Sequence, residues 1–109
     1  MKIEAVAMVD SGSDFLILSK SIAEILKLEL KEDEKGKMIG VGGSIPSYST
    51  KVEVSVEYGY GHIGIVIDAK VIDSDIFPVL LGRQGFFDRF EVTINEKEQY
   101  VKIKDMGKY

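Results

Sequence analysis

Apolar and polar positions along the chain change period several times, and each change predicts an element. Residues Ala5 to Val9 form a short apolar run ending at Asp10, and Phe15-Leu16-Ile17-Leu18 form a second; both have the length of buried strands. Ile22, Ile25, Leu26 and Leu30 then recur at helical spacing, and Ser21 with Glu24 three residues later predicts a capping box at the start of that helix. Lys31-Glu32-Asp33-Glu34-Lys35-Gly36-Lys37 reads as a solvated loop. Met38-Ile39 and Ser49 to Tyr58 read as strands, the second alternating Val52, Val54, Val56 against Lys51, Glu53, Ser55 and Glu57. Gly61 to Asp68 and Lys70 to Ile72 predict a further hairpin or meander, closed by a turn at Asp73-Ser74-Asp75. A short helix is expected around Arg83 to Arg89, then a hairpin of Phe90 to Ile94 and Tyr100 to Lys104.

The chain has 109 residues, 45% of them hydrophobic and 29% charged, which predicts one globular domain spanning 1–109. A net charge of −4 supplies no basic field for nucleic acid. Absence of cysteine excludes disulfides and thiolate metal sites, and no ligand cluster suggests a metal or other cofactor. No apolar run reaches membrane-spanning length, so the expectation is a cytoplasmic protein without membrane contact. With one histidine, His62, and no cysteine, Ser-His-Asp and Cys-His chemistries lack their parts, and His62 reads as a turn or surface residue.

Candidate chemistry concentrates at Val9-Asp10-Ser11-Gly12-Ser13, where a strand runs into a tight turn carrying a carboxylate. Taken alone, Asp-Ser-Gly is ordinary turn vocabulary. Two later motifs change its meaning: Met38-Ile39-Gly40-Val41-Gly42-Gly43, and Val79-Leu80-Leu81-Gly82-Arg83. In this order and spacing the three elements resemble the retropepsins, the single-domain aspartic proteases of retroviral type, from about residue 3 to about residue 90.

The resemblance implies a mainly β fold, a small closed β-barrel with one or two short helices, a flap at about 38–50, and a homodimeric aspartic endopeptidase that cleaves extended or unfolded polypeptides. It assigns Asp10 as the catalytic carboxylate, one from each chain. Ser11 corresponds to the hydroxyl that bonds across the dimer axis, and Gly12 to the residue whose carbonyl meets substrate backbone. Asp14 corresponds to a residue that meets substrate main chain and pairs with an arginine, here Arg83, in a partly buried bidentate ion pair. Ile39, Gly40, Val41 and Gly42 line the substrate, with Ile39, Val41, Ile45 and Leu80 as pocket walls that serve equally well as ordinary packing residues. Asp73-Ser74-Asp75 lacks the following glycine and reads as a turn, so a second catalytic carboxylate must come from a second chain.

Two departures stand out. Retroviral members carry an N-terminal arm and strand pair before the catalytic Asp, whereas nine residues precede Asp10; the C-terminal hairpin at about 90–104 is expected to fill that place, within the chain or across the dimer. Pro46, beside the flap glycines, lacks an N–H and predicts an edge or irregular segment there. The alternatives are a non-catalytic retropepsin-like module that dimerises and holds an extended peptide, and a small β-barrel interaction domain unrelated to proteases.

Overall fold

The computed structural model describes residues 2–31, 35–40, 43–74 and 79–107. The chain is mainly β, and the described residues form eight strands: β1 Ala7–Val9, β2 Leu16–Ser19, β3 Lys35–Gly40, β4 Gly43–Tyr58, β5 Gly61–Ile72, β6 Val79–Leu81, β7 Phe90–Asn95 and β8 Tyr100–Asp105. One helix, α1 Lys20–Ile25, follows β2, and an irregular helical turn spans Arg83–Phe87.

Strands β1 to β6 form one sheet in the order β1-β6-β2-β5-β4-β3, while β7 and β8 form a separate pair. The six-stranded sheet is a curled half-barrel with β1 and β3 as its edges, and the closed barrel expected from the sequence is not observed among the described residues. Its frame is the β4–β5 hairpin, in register from Ser47↔Ile72 to Tyr58↔Gly61. Val52, Val54 and Val56 on β4 oppose Ile67, Ile65 and Ile63 on β5, so the alternation in the sequence becomes one continuous apolar face. β5 is one unbroken strand rather than two segments. Asp68 and Lys70 interrupt the apolar run only because they lie on the other face, which the two-residue period permits.

Leu16, Leu18, Ala23, Ile67, Ala69, Val71 and Val79 make the buried core, flanked by Ile22, Leu28, Leu30, Tyr48, Val52, Val54, Ile65 and Leu81. α1 covers part of it, but with a different cap from the one the sequence suggests. Ser19, extended at φ −74° and ψ 155°, accepts a hydrogen bond from the Ile22 N–H at 3.2 Å, because β2 ends there and leaves its last hydroxyl over the first turn. Ser21 therefore lies inside the helix. The helix also closes earlier than Leu30: Leu28 N–H donates to Ala23 O and Lys27 N–H to Glu24 O, with Lys27 at φ 57°. This is a Schellman closure made on lysine instead of glycine. Leu28 and Leu30 are packed on the core by chain that follows the helix, which is why they mimic its periodicity.

β3 and the start of β4 form a second hairpin, Lys35↔Tyr48 to Gly40↔Gly43. Pro46 pairs with Lys37 and lies just before Ser47, where β5 joins β4. Its missing donor thus falls where β4 has a neighbour on one side only. The predicted residues Val41, Gly42, Glu32, Asp33, Glu34 and Asp75 lie outside the described residues.

The C-terminal hairpin does not join the sheet through β1, contrary to one of the two placements expected for it. It is anchored instead at its base: Phe90 is buried against Phe86, ring centroids 5.1 Å apart, and Met106 N–H donates to Arg89 O. Arg89 also pairs with Asp105, Nε to Oδ1 2.5 Å and Nη2 to Oδ2 3.2 Å. The hydrogen bonds from Arg89 and then from the Gly107 N–H hold the Asp105 carboxyl below its ordinary value, at about 2. A carboxyl whose folded pKa is depressed contributes stability above its unfolded value of 3.8, and the contribution fades as pH falls toward about 2. The base of the hairpin should therefore stay ordered at pH 4 and loosen between pH 4 and 2. Amide exchange of Phe90 and Met106 checks this; pH-independent protection across that window, or Asp105→Asn behaving as wild type at pH 6, would contradict it.

Candidate active site

The arrangement around Asp10 follows from one topological fact. β1 and β2 are consecutive in sequence, yet β6 runs between them, parallel to β1 (Val9↔Leu81) and antiparallel to β2 (Ile17↔Leu80). Residues 10–15 must therefore cross the end of β6. Every backbone bond at the crossing reflects this: Asp10 N–H donates to Leu81 O at 2.9 Å, Arg83 N–H to Ser13 O at 2.8 Å and Gln84 N–H to Asp14 O at 2.9 Å.

Gly82 sits under the crossing with φ −106°, so its conformation makes no demand for glycine; the space does. A Cβ there would drive into the carbonyl oxygens of Phe15 and Ser13 and reach 2.8 Å from Phe15 N. These are backbone atoms and cannot rotate aside. Gly85 is pinned twice, by φ +88° and by the Ile67 side chain against its α-carbon.

Above Gly82 the turn is closed by local bonds. Ser13 N–H donates to Asp10 O at 3.1 Å, and Gly12 N–H donates to Asp10 Oδ1 at 2.9 Å, orienting the carboxylate. Ser13 Oγ donates to Phe15 O at 2.8 Å. Asp10 is half-buried, while Ser11, Gly12, Asp14 and Arg83 are exposed.

The expected Asp14–Arg83 ion pair does not form: among the described residues, the carboxylate pairs are Lys51–Asp68 and Arg89–Asp105. Arg83 instead donates from Nε to Ser11 O at 2.9 Å. Its backbone is fixed on Ser13, so its side chain returns across the turn to the carbonyl beside Asp10. Arg83 thus holds the Asp-Ser-Gly turn directly.

Of the other residues assigned from the sequence, Ile39 lies on β3 and is 86% exposed, and Gly40 closes the β3–β4 pairing opposite Gly43. Leu80 and Ile45 are half-buried. Among the described residues no group of three or more His, Asp or Glu could hold a metal ion, and no helix is long and apolar enough to cross a membrane.

Face assignment adds residues that the sequence reading passed over. Leu16, Leu18, Ala69, Val71, Val79 and Leu81 face the core, so Ile17, Lys70, Leu80 and Asp10 belong to the opposite face. On that face the Lys70 Nζ lies 4.9 Å from the centroid of the Phe15 ring and donates to Ser49 Oγ at 2.6 Å. A lysine in an alternating strand carries no signal beyond solvent exposure; only the pairing of β5 with β2 reveals its neighbours.

A family model described as aspartyl protease, of the retropepsin-like kind, matches residues 2–84, a span that contains Asp10, the β3–β4 hairpin and Gly82-Arg83. The chain belongs to this aspartyl protease family. No curated protein matches it in sequence.

Two substitutions test the crossing. Gly82→Ala should lower the stability of the chain by at least about 3 kcal/mol, because the methyl group meets fixed backbone; a near-wild-type urea midpoint would show that the crossing can open. Arg83→Ala should cost about 1 kcal/mol, the value of one hydrogen bond from a charged donor at an exposed site, and speed amide exchange at Gly12 and Ser13. Unchanged exchange there would mean that Arg83 does not hold the turn.

Proposed function

We propose that the chain is an aspartic endopeptidase, active as a homodimer in which Asp10 of each protomer contributes one carboxylate, and that it hydrolyses extended or unfolded polypeptides. The observation that carries this reading is the placement of Asp10: a half-buried carboxylate at a strand end, oriented by the Gly12 N–H and mounted on a turn that Gly82 and Arg83 brace from below. Membership of the aspartyl protease family supports a protease-like activity.

Two carboxylates brought together across a two-fold axis do not both ionise readily, so they share one proton and titrate as a pair. In that state one Asp10 takes a proton from a water as it attacks the scissile carbonyl, and the partner subunit's Asp10 gives its proton to the carbonyl oxygen. Neither a metal nor a covalent intermediate enters this step. Ser11, exposed beside Asp10, is placed to bond across the axis, and Gly12 offers its carbonyl to the substrate backbone.

The substrate would add as a strand, held by main-chain hydrogen bonds between the Asp10 turn and the β3–β4 hairpin, with Ile39, Gly40, Val41 and Gly42 serving as the flap. A single domain over 1–109 suffices for one half of such a site. The apolar residues exposed on and just before β1 and on the C-terminal hairpin, among them Val6, Met8, Ile94 and Val101, support burial of these elements against a second copy. In this reading the C-terminal hairpin lies across the dimer. A cytoplasmic location belongs to the same reading.

The deciding comparison is cleavage of an unfolded protein at high enzyme concentration from about pH 3 to 7, with the native chain and Asp10→Asn prepared alike. Activity in the acid part of that range should fall by at least about a thousandfold in Asp10→Asn. Cleavage that survives in the variant would remove Asp10 from the mechanism. Loss of cleavage in both, with retained peptide binding, would make the chain a non-catalytic peptide-holding module.

A further inference from the structure

We propose that Lys70, seated between Phe15 and Ser49 on the Asp10 face of the sheet, forms a substrate subsite that selects an acidic side chain in the bound peptide. The inference rests on the protease reading above and specifies the chemistry of its substrate.

Position comes first. Continuing the registers of β1, β6 and β2 beyond their ends sets Asp10, Gly82 and Phe15 side by side, with Gly82 contributing no side chain between the other two. At about 4.8 Å per strand, Phe15 lies about 10 Å from Asp10; the β2–β5 register sets Asp68 opposite Phe15 and Lys70 opposite Ile17, and the Lys70 side chain reaches back over the Phe15 ring. An extended peptide covers that distance in roughly two or three residues. Lys70 is thus in reach of a side chain near the scissile bond, not at a remote surface.

The chemistry comes second. Lys70 is half-buried, and its ammonium is fixed by the Phe15 ring at 4.9 Å and by the Ser49 hydroxyl at 2.6 Å. An ammonium has three donors, and Ser49 accepts one. Ser49, having accepted from Lys70, still has its own O–H to donate. Ile17, 6% exposed, packs the adjoining position on β2, where it pairs with both Lys70 and Leu80. The nearest acid on the same strand face, Asp68, is engaged by Lys51 of β4 at 3.7 Å. The result is a fixed cation beside an aromatic wall, with donors from Lys70 and Ser49 converging where a carboxylate could accept both. A neutral amide of the same size would accept more weakly, and a basic side chain would be repelled.

Because the proposed enzyme is a two-fold dimer, the subsite occurs twice, once on each side of the scissile bond. Peptides with an acidic residue on either side of the cut should therefore be favoured, and those with one on both sides most of all.

The test uses peptides that differ only two or three residues from the cut, as Glu, Gln, Leu or Lys, cleaved by the native chain, Lys70→Gln and Lys70→Glu. The same peptides are measured for binding to Asp10→Asn, which separates recognition from turnover. Glu should exceed Gln by about tenfold in kcat/KM, mostly through KM. Lys70→Gln, which retains a donor for Ser49, should abolish that preference, and Lys70→Glu should move it toward Lys. Equal cleavage of Glu and Gln peptides by the native chain, or a Glu preference that persists in Lys70→Gln, overturns the subsite and leaves the protease reading standing. A Glu preference in binding to Asp10→Asn that disappears when Lys70→Gln is added, with no peptide cleaved by the native chain, upholds the subsite and removes the protease reading. Absence of both cleavage and charge-dependent binding overturns both.

Discussion

Everything at the candidate site hangs on the close passage of residues 13–15 over Gly82. The sheet order forces it, since β6 occupies the place between β1 and β2 that the intervening loop must straddle. Backbone on backbone leaves no room for a side chain, and the bonds from Asp10, Arg83 and Gln84 convert that contact into a fixed register. Asp10 is consequently positioned by strands and not by a free loop, which is what a catalytic group needs to be held in one geometry. The turn itself is small, but its accuracy is inherited from β1, β6 and β2 together.

The two faces of the sheet divide the labour. One face carries the apolar residues that bury against α1 and the chain around Leu28 and Leu30, and supplies the stability. The other carries Asp10, Ile17, Lys70 and Leu80, the residues to which the proposed chemistry is assigned. Alternation keeps these roles apart at a resolution of one residue: Leu16 and Leu18 are core, while Ile17 between them belongs to the face that carries Asp10. A strand slipped by one residue would exchange the two sets, so the pairing of β2 with β5 keeps the Asp10 face as well as the core in place.

Much of this was legible in the sequence where the signal was local. Val52, Val54 and Val56 announced β4 by their period, and Asp10-Ser11-Gly12 announced the turn by its residue types. Local signals also misled. Ser21 and Glu24 make a good capping box on paper, but β2 ends at Ser19 and its hydroxyl takes the cap first. Asp68 and Lys70 suggested a break in β5, although both simply face away from the core. The Asp14–Arg83 pair failed for a reason that no spacing reveals: the backbone of Arg83 is held on Ser13, and from there its guanidinium reaches the Ser11 carbonyl. Gly82, Phe15 and Lys70 acquire meaning only through neighbours far off in sequence, the first because of atoms it excludes and the others because of atoms they meet.

The insertion of β6 also sets an order of events during synthesis. The β4–β5 hairpin pairs residues close in sequence and can form as soon as Ile72 is available, whereas β1 must wait for Val79 to Leu81, some seventy residues downstream. Until Gly82 and Arg83 have emerged, nothing braces the turn that carries Asp10. The segment that carries Asp10 therefore stays unsupported while the residues between β1 and β6 are made, and the geometry proposed for peptide hydrolysis comes into being only once Gly82 and Arg83 have followed, a delay that separates making the turn from setting it.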